Sequence, residues 1–191
     1  MVLHFHSDRV LFSTEFRFAD IPRLARAHLV AYPKTPHIES LGADLIASNF
    51  KGEAVIAFVK AVCSWGGYPG IGARVLKRND LNSISAALME AHGHIVSKPP
   101  AMDMALATLN ALSGLGTPSF ASKHLRFLHP EFCPVFDSML QQALPYSFDH
   151  RGFAAFAQDC FQIAGRLTEA SIPNPRERPE GRWFAADVES S

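Results

Sequence analysis

Apolar residues return every three or four positions along most of this chain, and a chain with that rhythm must pack helices against one another. From Ile21 the positions Leu24, Ala25, His28, Leu29 and Tyr32 keep it, with Asp20 placed to cap the start and Pro33 and Pro36 to stop the end. The same spacing predicts a helix from about Glu53 to Trp65 through Val55, Ile56, Val59, Val62 and Cys63. Gly66, Gly67, Pro69, Gly70 and Gly72 then read as a loop. Asn79 or Asp80 caps a further helix through Leu81, Ile84, Leu88 and Ala91, which Gly93 is expected to end. Past Pro99 and Pro100, helices are expected over Met102 to Leu112, Pro118 to Leu128, Asp137 to Leu144 and His150 to Leu167. Period-two alternation is confined to Val10 to Phe18. The expected class is mostly α.

With 191 residues, 48% of them hydrophobic, the chain has the apolar mass for one packed domain over 1–191 and too much of it for disorder. Ser171 to Arg182, reading SIPNPRERPEGR, is rich in proline and charge and is expected to form a surface connector over 171–182, with Glu177 and Glu180 facing solvent. Trp183, Phe184 and Val188 should dock the tail back on the body. No run of about eighteen apolar residues exists, so no membrane span is expected. The opening MVLHFHSDRV lacks the apolar stretch of a secretory leader, which points to a cytoplasmic protein, expected as a monomer. Cys63, Cys133 and Cys160 form no CxxC pair and read as reduced thiols. His92 and His94 have no third ligand placed by sequence, so no metal site is expected. The 18 basic residues balance 18 acidic ones, and nucleic acid would have to be met by a local patch.

The chemistry gathers between Leu109 and Leu140, in LNALSGLGTPSFASKHLRFLHPEFCPVFDSML. An apolar helix ends at Gly114-Leu115-Gly116, a second follows at once, and Pro134-Val135-Phe136-Asp137 leads into a third. The two glycines allow positive φ and close approach of another molecule to the backbone. Free amides at the start of the next helix suit a phosphate, and Thr117-Pro118 is a cap and first-turn pair. Taken alone, Lys123 is a solvated helix lysine and Asp137 an N-cap.

This arrangement resembles the helix-hairpin-helix DNA glycosylase superfamily, in particular its 8-oxoguanine glycosylase branches. There a Gly-apolar-Gly hairpin is followed, after one helix and a short apolar segment, by an essential aspartate, the position Asp137 holds here. Pro118 stands where bifunctional members carry their catalytic lysine, and proline offers no amine. Lys123 lies about 140° around and about 7.5 Å further along the helix. Its context, Phe120-Ala121-Ser122-Lys123, is similar to the Phe-Ala-x-Lys of the archaeal branch, whose hairpin is atypical. The tail from Arg182 to Glu189 is similar to that of small bacterial proteins of 8-oxoguanine glycosylase fold, some from antiphage defence operons.

The resemblance implies a helix-hairpin-helix glycosylase-like domain that binds DNA, flips a damaged purine such as 8-oxoguanine out of the stack and cleaves its glycosidic bond. Lys123 would attack C1′ and Asp137 would assist; no organic cofactor is needed, and a monovalent cation on the carbonyls of Ser113 to Gly116 is implied by relatives. The amine must be neutral, so burial among Phe120, Leu125 and Phe127 has to lower its pKa, with Arg126 and protonated His124 pushing the same way. An aspartate beside the sugar stabilises oxocarbenium charge; should Lys123 face elsewhere, water would attack instead. Trp65 and Tyr68 are candidates to fill the gap left by the extruded base. Arg74, with Lys77 and Arg78, is a candidate for phosphates. The bland alternatives make Trp65 a core anchor and the basic trio a solvated face. The rival function is a non-catalytic module binding nucleic acid or a modified nucleotide in a bacterial antiphage system, toward which zero net charge leans. Geometry separates them: an enzyme needs Lys123 Nζ and the Asp137 carboxylate in one cleft beside the hairpin.

Overall fold

The computed structural model describes residues 4–5, 9–12, 14–116 and 118–191, and among these the protein is mostly helical. A small antiparallel ribbon opens it: β1 (His4–Phe5), β2 (Arg9–Phe12) and β3 (Thr14–Arg17), in that order, with Val10 opposite Phe16. That is where the period-two alternation stands. Buried Phe18 then begins a 3-10 turn leading into α1 (Ile21–Ala31). Asp20 holds the cap position of α1, but its side chain makes no capping bond.

Two helices occupy stretches whose prolines and glycines read as breaks. Pro36 does not stop a helix; it sits in the first turn of α2 (Thr35–Ala47), where its missing N–H is no loss. Pro69 likewise opens α4 (Pro69–Arg78), directly after α3 (Gly52–Trp65), so residues 69–72 are helical and not a loop. Gly93 does not end its helix either: α5 (Leu81–Val96) runs through it, capped at Asp80 by a 2.9 Å bond from Ser83 N–H to Oδ1. The neighbouring candidate cap, Asn79, has another task, described below. The chain continues as α6 (Met102–Asn110), α7 (Pro118–Leu128), α8 (Ser138–Ala143), α9 (His150–Glu169) and α10 (Ala185–Glu189).

At the centre lies α7, packed against α2, α3, α5, α6 and α9 and buried from Phe120 to Leu128. A helix buried all round should be apolar all round, yet this one carries Ser122, Lys123, His124 and Arg126 inward. Each needs a partner. His124 Nδ1 bonds the Phe120 carbonyl at 2.7 Å, and Arg126 pairs with Glu39 of α2. Ser122 and Lys123 turn toward the segment that carries Asp137.

The 171–182 segment is no mere surface connector. Glu177 and Glu180 are exposed as expected, but Arg176 and Arg178 turn inward. Arg178 bridges Glu39 and the fully buried Asp187, with Nη2 2.7 Å from Asp187 Oδ1. Arg176 Nε lies 3.2 Å from the same oxygen. Trp183 is buried with Nε1 on the Ile172 carbonyl at 2.7 Å, so the tail docks. The three cysteines are free and buried.

Candidate active site

Gly114 and Gly116 have φ of +87° and +92°, the left-handed conformation that the Gly-Leu-Gly pattern anticipates. Leu115 between them is 2% exposed and anchors the turn in the core. The turn is also tied down from α4 and the residue after it. Arg74 Nε donates to the Gly114 carbonyl at 2.9 Å, and Asn79 spans Ser113, with Nδ2 on its carbonyl at 2.9 Å and Oδ1 on its N–H at 3.0 Å. A Cβ on Gly114 would meet the stems of Arg74 and Arg78 at 2.9 and 3.2 Å, so both arginines lie against the hairpin. Thr117 lies outside the described residues. The implied monovalent cation does not fit this turn: a guanidinium already holds the Gly114 carbonyl, and its charge would repel a second cation.

Lys123 is 6% exposed. Its Nζ donates to Ser119 Oγ at 3.0 Å, lies 3.6 Å from Asp137 Oδ2 and stands 5.3 Å from the centre of the Phe120 ring. The aliphatic stem fits against Gly66, where a Cβ would come within 3.1 Å of Lys123 Cδ and 3.0 Å of Phe120. Burial pushes the amine below its ordinary pKa, opposed by Asp137 and Glu189. His124 does not help: burial takes it down to about 4, so it is neutral near pH 7, and Arg126 is neutralised by Glu39. Desolvation alone lowers the amine.

Asp137 serves two groups at once. Its Oδ1 accepts from Met139 N and Leu140 N at 3.1 and 3.2 Å, capping α8, while Oδ2 faces the lysine. Ser122 fixes the segment before it, accepting from Phe136 N–H at 2.9 Å. Beside this pair opens a cleft of about 350 Å³, lined by Tyr68, Ile71 and Arg74 of the α4 end, Leu115 and Gly116 of the hairpin, Ser119 and Phe120 of α7, and Ser138 and Phe148. Ser119 and Ser138 join the cleft to the pair, one bonded to Lys123 and the other adjacent to Asp137.

Tyr68, 66% exposed, and Arg74 reach this cleft; Trp65 does not line it. Trp65 Nε1 instead bonds Thr35 Oγ1 at 3.0 Å, and its ring packs edge-on against Phe127 at 4.9 Å and beside Tyr32. That is an anchor between α1, α2, α3 and α7. Lys77 and Arg78 are exposed on α4. His92 Nδ1 meets His129 Nε2 at 2.8 Å, and no group of three metal-ligating residues occurs among the described residues.

Sequence reading missed Ser119, Ser122 and Ser138 around the pair, and a residue of the tail beside them. Glu189 of α10 accepts from Val135 N–H at 3.4 Å, two positions before Asp137. Burial pushes its carboxyl up to about 7, with Asp137 adding to the rise and Arg126 and Lys123 opposing it. Nothing local in the tail signals this, because the contact closes across 54 residues.

Comparison of the chain with protein-family models, curated proteins and solved structures finds no match in any of the three.

Proposed function

We propose that the protein is a DNA N-glycosylase of helix-hairpin-helix type that removes a damaged purine, 8-oxoguanine in the first instance, with Lys123 as nucleophile and Asp137 as its partner. The observation that carries this reading is the Lys123–Asp137 pair: an amine 6% exposed and 3.6 Å from a carboxylate, one residue behind the wall of a cleft beside the glycine hairpin, where Ser119 bonds the amine. A buried lysine with a lowered pKa is costly to keep for structure alone and is what amine catalysis needs. The pair lies behind the cleft wall, which Ser119, bonded to the amine, and Ser138, next to Asp137 in the chain, line in its place.

The neutral amine would add to C1′ as the bond from C1′ to the base breaks, the base leaving with the bonding electrons and taking up a proton. Asp137 Oδ2 stabilises the positive charge that grows on the sugar. Opening of the sugar ring then leaves a protonated imine on Lys123, from which loss of a C2′ proton expels the 3′ phosphate. In this reading Tyr68, exposed at the cleft, would stack on a base, and Arg74 and Arg78, which lie against the hairpin, would hold the backbone.

The test is release of free base and strand nicking on an oligonucleotide carrying 8-oxoguanine, with Lys123→Gln and Asp137→Asn beside the wild type. Base release lost in Lys123→Gln supports the reading. Tight DNA binding with no base release from the wild type would move the assignment to the non-catalytic module.

A further inference from the structure

What faces the cleft in front of the buried amine is a hydroxyl. Ser119 is half-buried on the cleft wall, while Lys123 lies behind it, 6% exposed. The two stand four apart on α7 and so share a face, and Lys123 Nζ lies 3.0 Å from Ser119 Oγ. On the amine's other side Asp137 Oδ2 is 3.6 Å away. Each of the three is held by a contact outside the set. Ser122 Oγ donates to the Ser119 carbonyl at 3.0 Å, and the lysine stem fills the space that Gly66 leaves. Asp137 Oδ1 is fixed by the Met139 and Leu140 N–H groups of α8. A hydroxyl within hydrogen-bond reach of a buried base, with that base faced in turn by a third group, is the arrangement that activates a nucleophilic serine.

We propose that Ser119, Lys123 and Asp137 act as nucleophile, base and positioning carboxylate for acyl transfer, a second activity of this cleft, on carboxylic esters with an aromatic acyl group. The substrate class follows from the lining. Tyr68, Phe120 and Phe148, with Ile71 and Leu115, make most of the wall of a cleft of about 350 Å³. The charged amine donates to Ser119 Oγ; the neutral amine accepts the hydroxyl proton across the same 3.0 Å. Burial lowers the pKa of Lys123 against the pull of Asp137, which brings the neutral form within reach. Ser119 Oγ adds to the ester carbonyl carbon as its proton passes to Nζ, and the carbonyl electrons move onto oxygen. Ser119 stands in the first turn of α7, where backbone N–H groups have no partner within the helix and the helix dipole favours that negative oxygen. Collapse restores the carbonyl and breaks its bond to the alcohol oxygen, which leaves with the proton from Nζ. Water then adds to the acyl carbon, giving a proton to Nζ, and Ser119 departs with that proton as the carboxylic acid is released.

This inference does not rest on DNA binding, and its test uses no nucleic acid. The full-length protein is incubated with an alkyl fluorophosphonate, whose phosphorus an activated hydroxyl attacks with loss of fluoride, and the adduct is mapped by peptide mass spectrometry. The expected result is an adduct on Ser119, absent from Ser119→Ala and formed at the wild-type rate in Ser40→Ala, which removes an exposed hydroxyl of α2. Lys123→Met should slow it about a hundredfold or more. Asp137→Asn, which can still cap α8, should slow it at saturating probe and leave the half-saturating concentration unchanged. Hydrolysis of para-nitrophenyl benzoate should fall in step across the same variants. No adduct on the wild type, an adduct on another residue, or equal rates in wild type and Lys123→Met overturns the proposal. Mapping on the wild type decides the matter even where a variant folds poorly. An adduct on Ser119 with ester hydrolysis but no release of 8-oxoguanine would leave the acyl transfer and remove the glycosylase; base release with no adduct would do the reverse.

Discussion

Replacing Lys123 by methionine should make the protein more stable while removing its proposed chemistry. The amine and carboxylate are 3.6 Å apart, which at an effective dielectric constant of about 20 gives an attraction of about 4–5 kcal/mol. The Asp137 side chain is 30% exposed and shared with two backbone amides, so solvent and those amides weaken the pull. Against it stands the desolvation of a nearly buried ammonium, several kcal/mol, relieved by one hydrogen bond to Ser119. Desolvation is the larger effect, which is why the amine titrates below its usual value. Methionine keeps an unbranched apolar stem against Gly66 and Phe120 and asks for no partner. The expected gain near pH 7 is about 1–2 kcal/mol, or a melting temperature higher by roughly 2–8 °C for a chain of this size. Its pH dependence has a definite sign. A lysine whose folded pKa is lowered destabilises the folded state below that pKa, and the penalty fades as pH rises through it toward the unfolded value of about 10.4. The advantage of Lys123→Met should therefore shrink at alkaline pH. Urea denaturation of both proteins at neutral and alkaline pH measures it; a Lys123→Met protein less stable by more than about 1 kcal/mol at pH 7 would refute the reasoning.

Four further outcomes follow from the packing around the site. Gly42→Ala would set a Cβ 2.0 Å from the Phe127 carbonyl oxygen of α7, backbone that cannot step aside, and should cost about 3 kcal/mol or more in a denaturation curve. Ser122→Ala leaves the buried Phe136 N–H without its 2.9 Å acceptor and should cost about 1–3 kcal/mol. Trp65→Phe should lower stability by about 1 kcal/mol through the lost Thr35 bond while DNA affinity holds. Tyr68→Ala should behave oppositely, losing about 1–3 kcal/mol of binding with stability intact, as a fluorescence anisotropy titration beside a melting curve would show.

The helices that sequence reading finds and those it misses differ for a physical reason. Where apolar periodicity runs undisturbed, as through Ile84, Leu88 and Ala91, the buried face is readable. Pro36 reads as a stop and Pro69 as part of a loop, and both readings fail because proline also begins helices and only tertiary packing decides between the two. Gly93 costs its helix something, yet Ala91 and Ile95 on either side are buried deeply enough to carry α5 through. The glycine hairpin is legible as local spacing, whereas Lys123 and Asp137, which read alone as a solvated lysine and an N-cap, are paired only by the family resemblance. The arginine clasp is not legible: Arg178 and Glu39 are 139 residues apart, and a charge-rich, proline-rich segment looks solvated until its partners are known. Trp65 fits either role in sequence, and only its bond to Thr35 and its packing on Phe127 separate an anchor from a probe of DNA.

The central claim is that Lys123 is an amine nucleophile, and trapping by borohydride tests it most directly. An oligonucleotide carrying 8-oxoguanine is incubated with the protein and borohydride, and any covalent adduct is digested and mapped by mass spectrometry. The account predicts a reduced adduct on Lys123, absent in Lys123→Gln and weakened in Asp137→Asn. An adduct on another residue, or base release with no adduct at all, would contradict it.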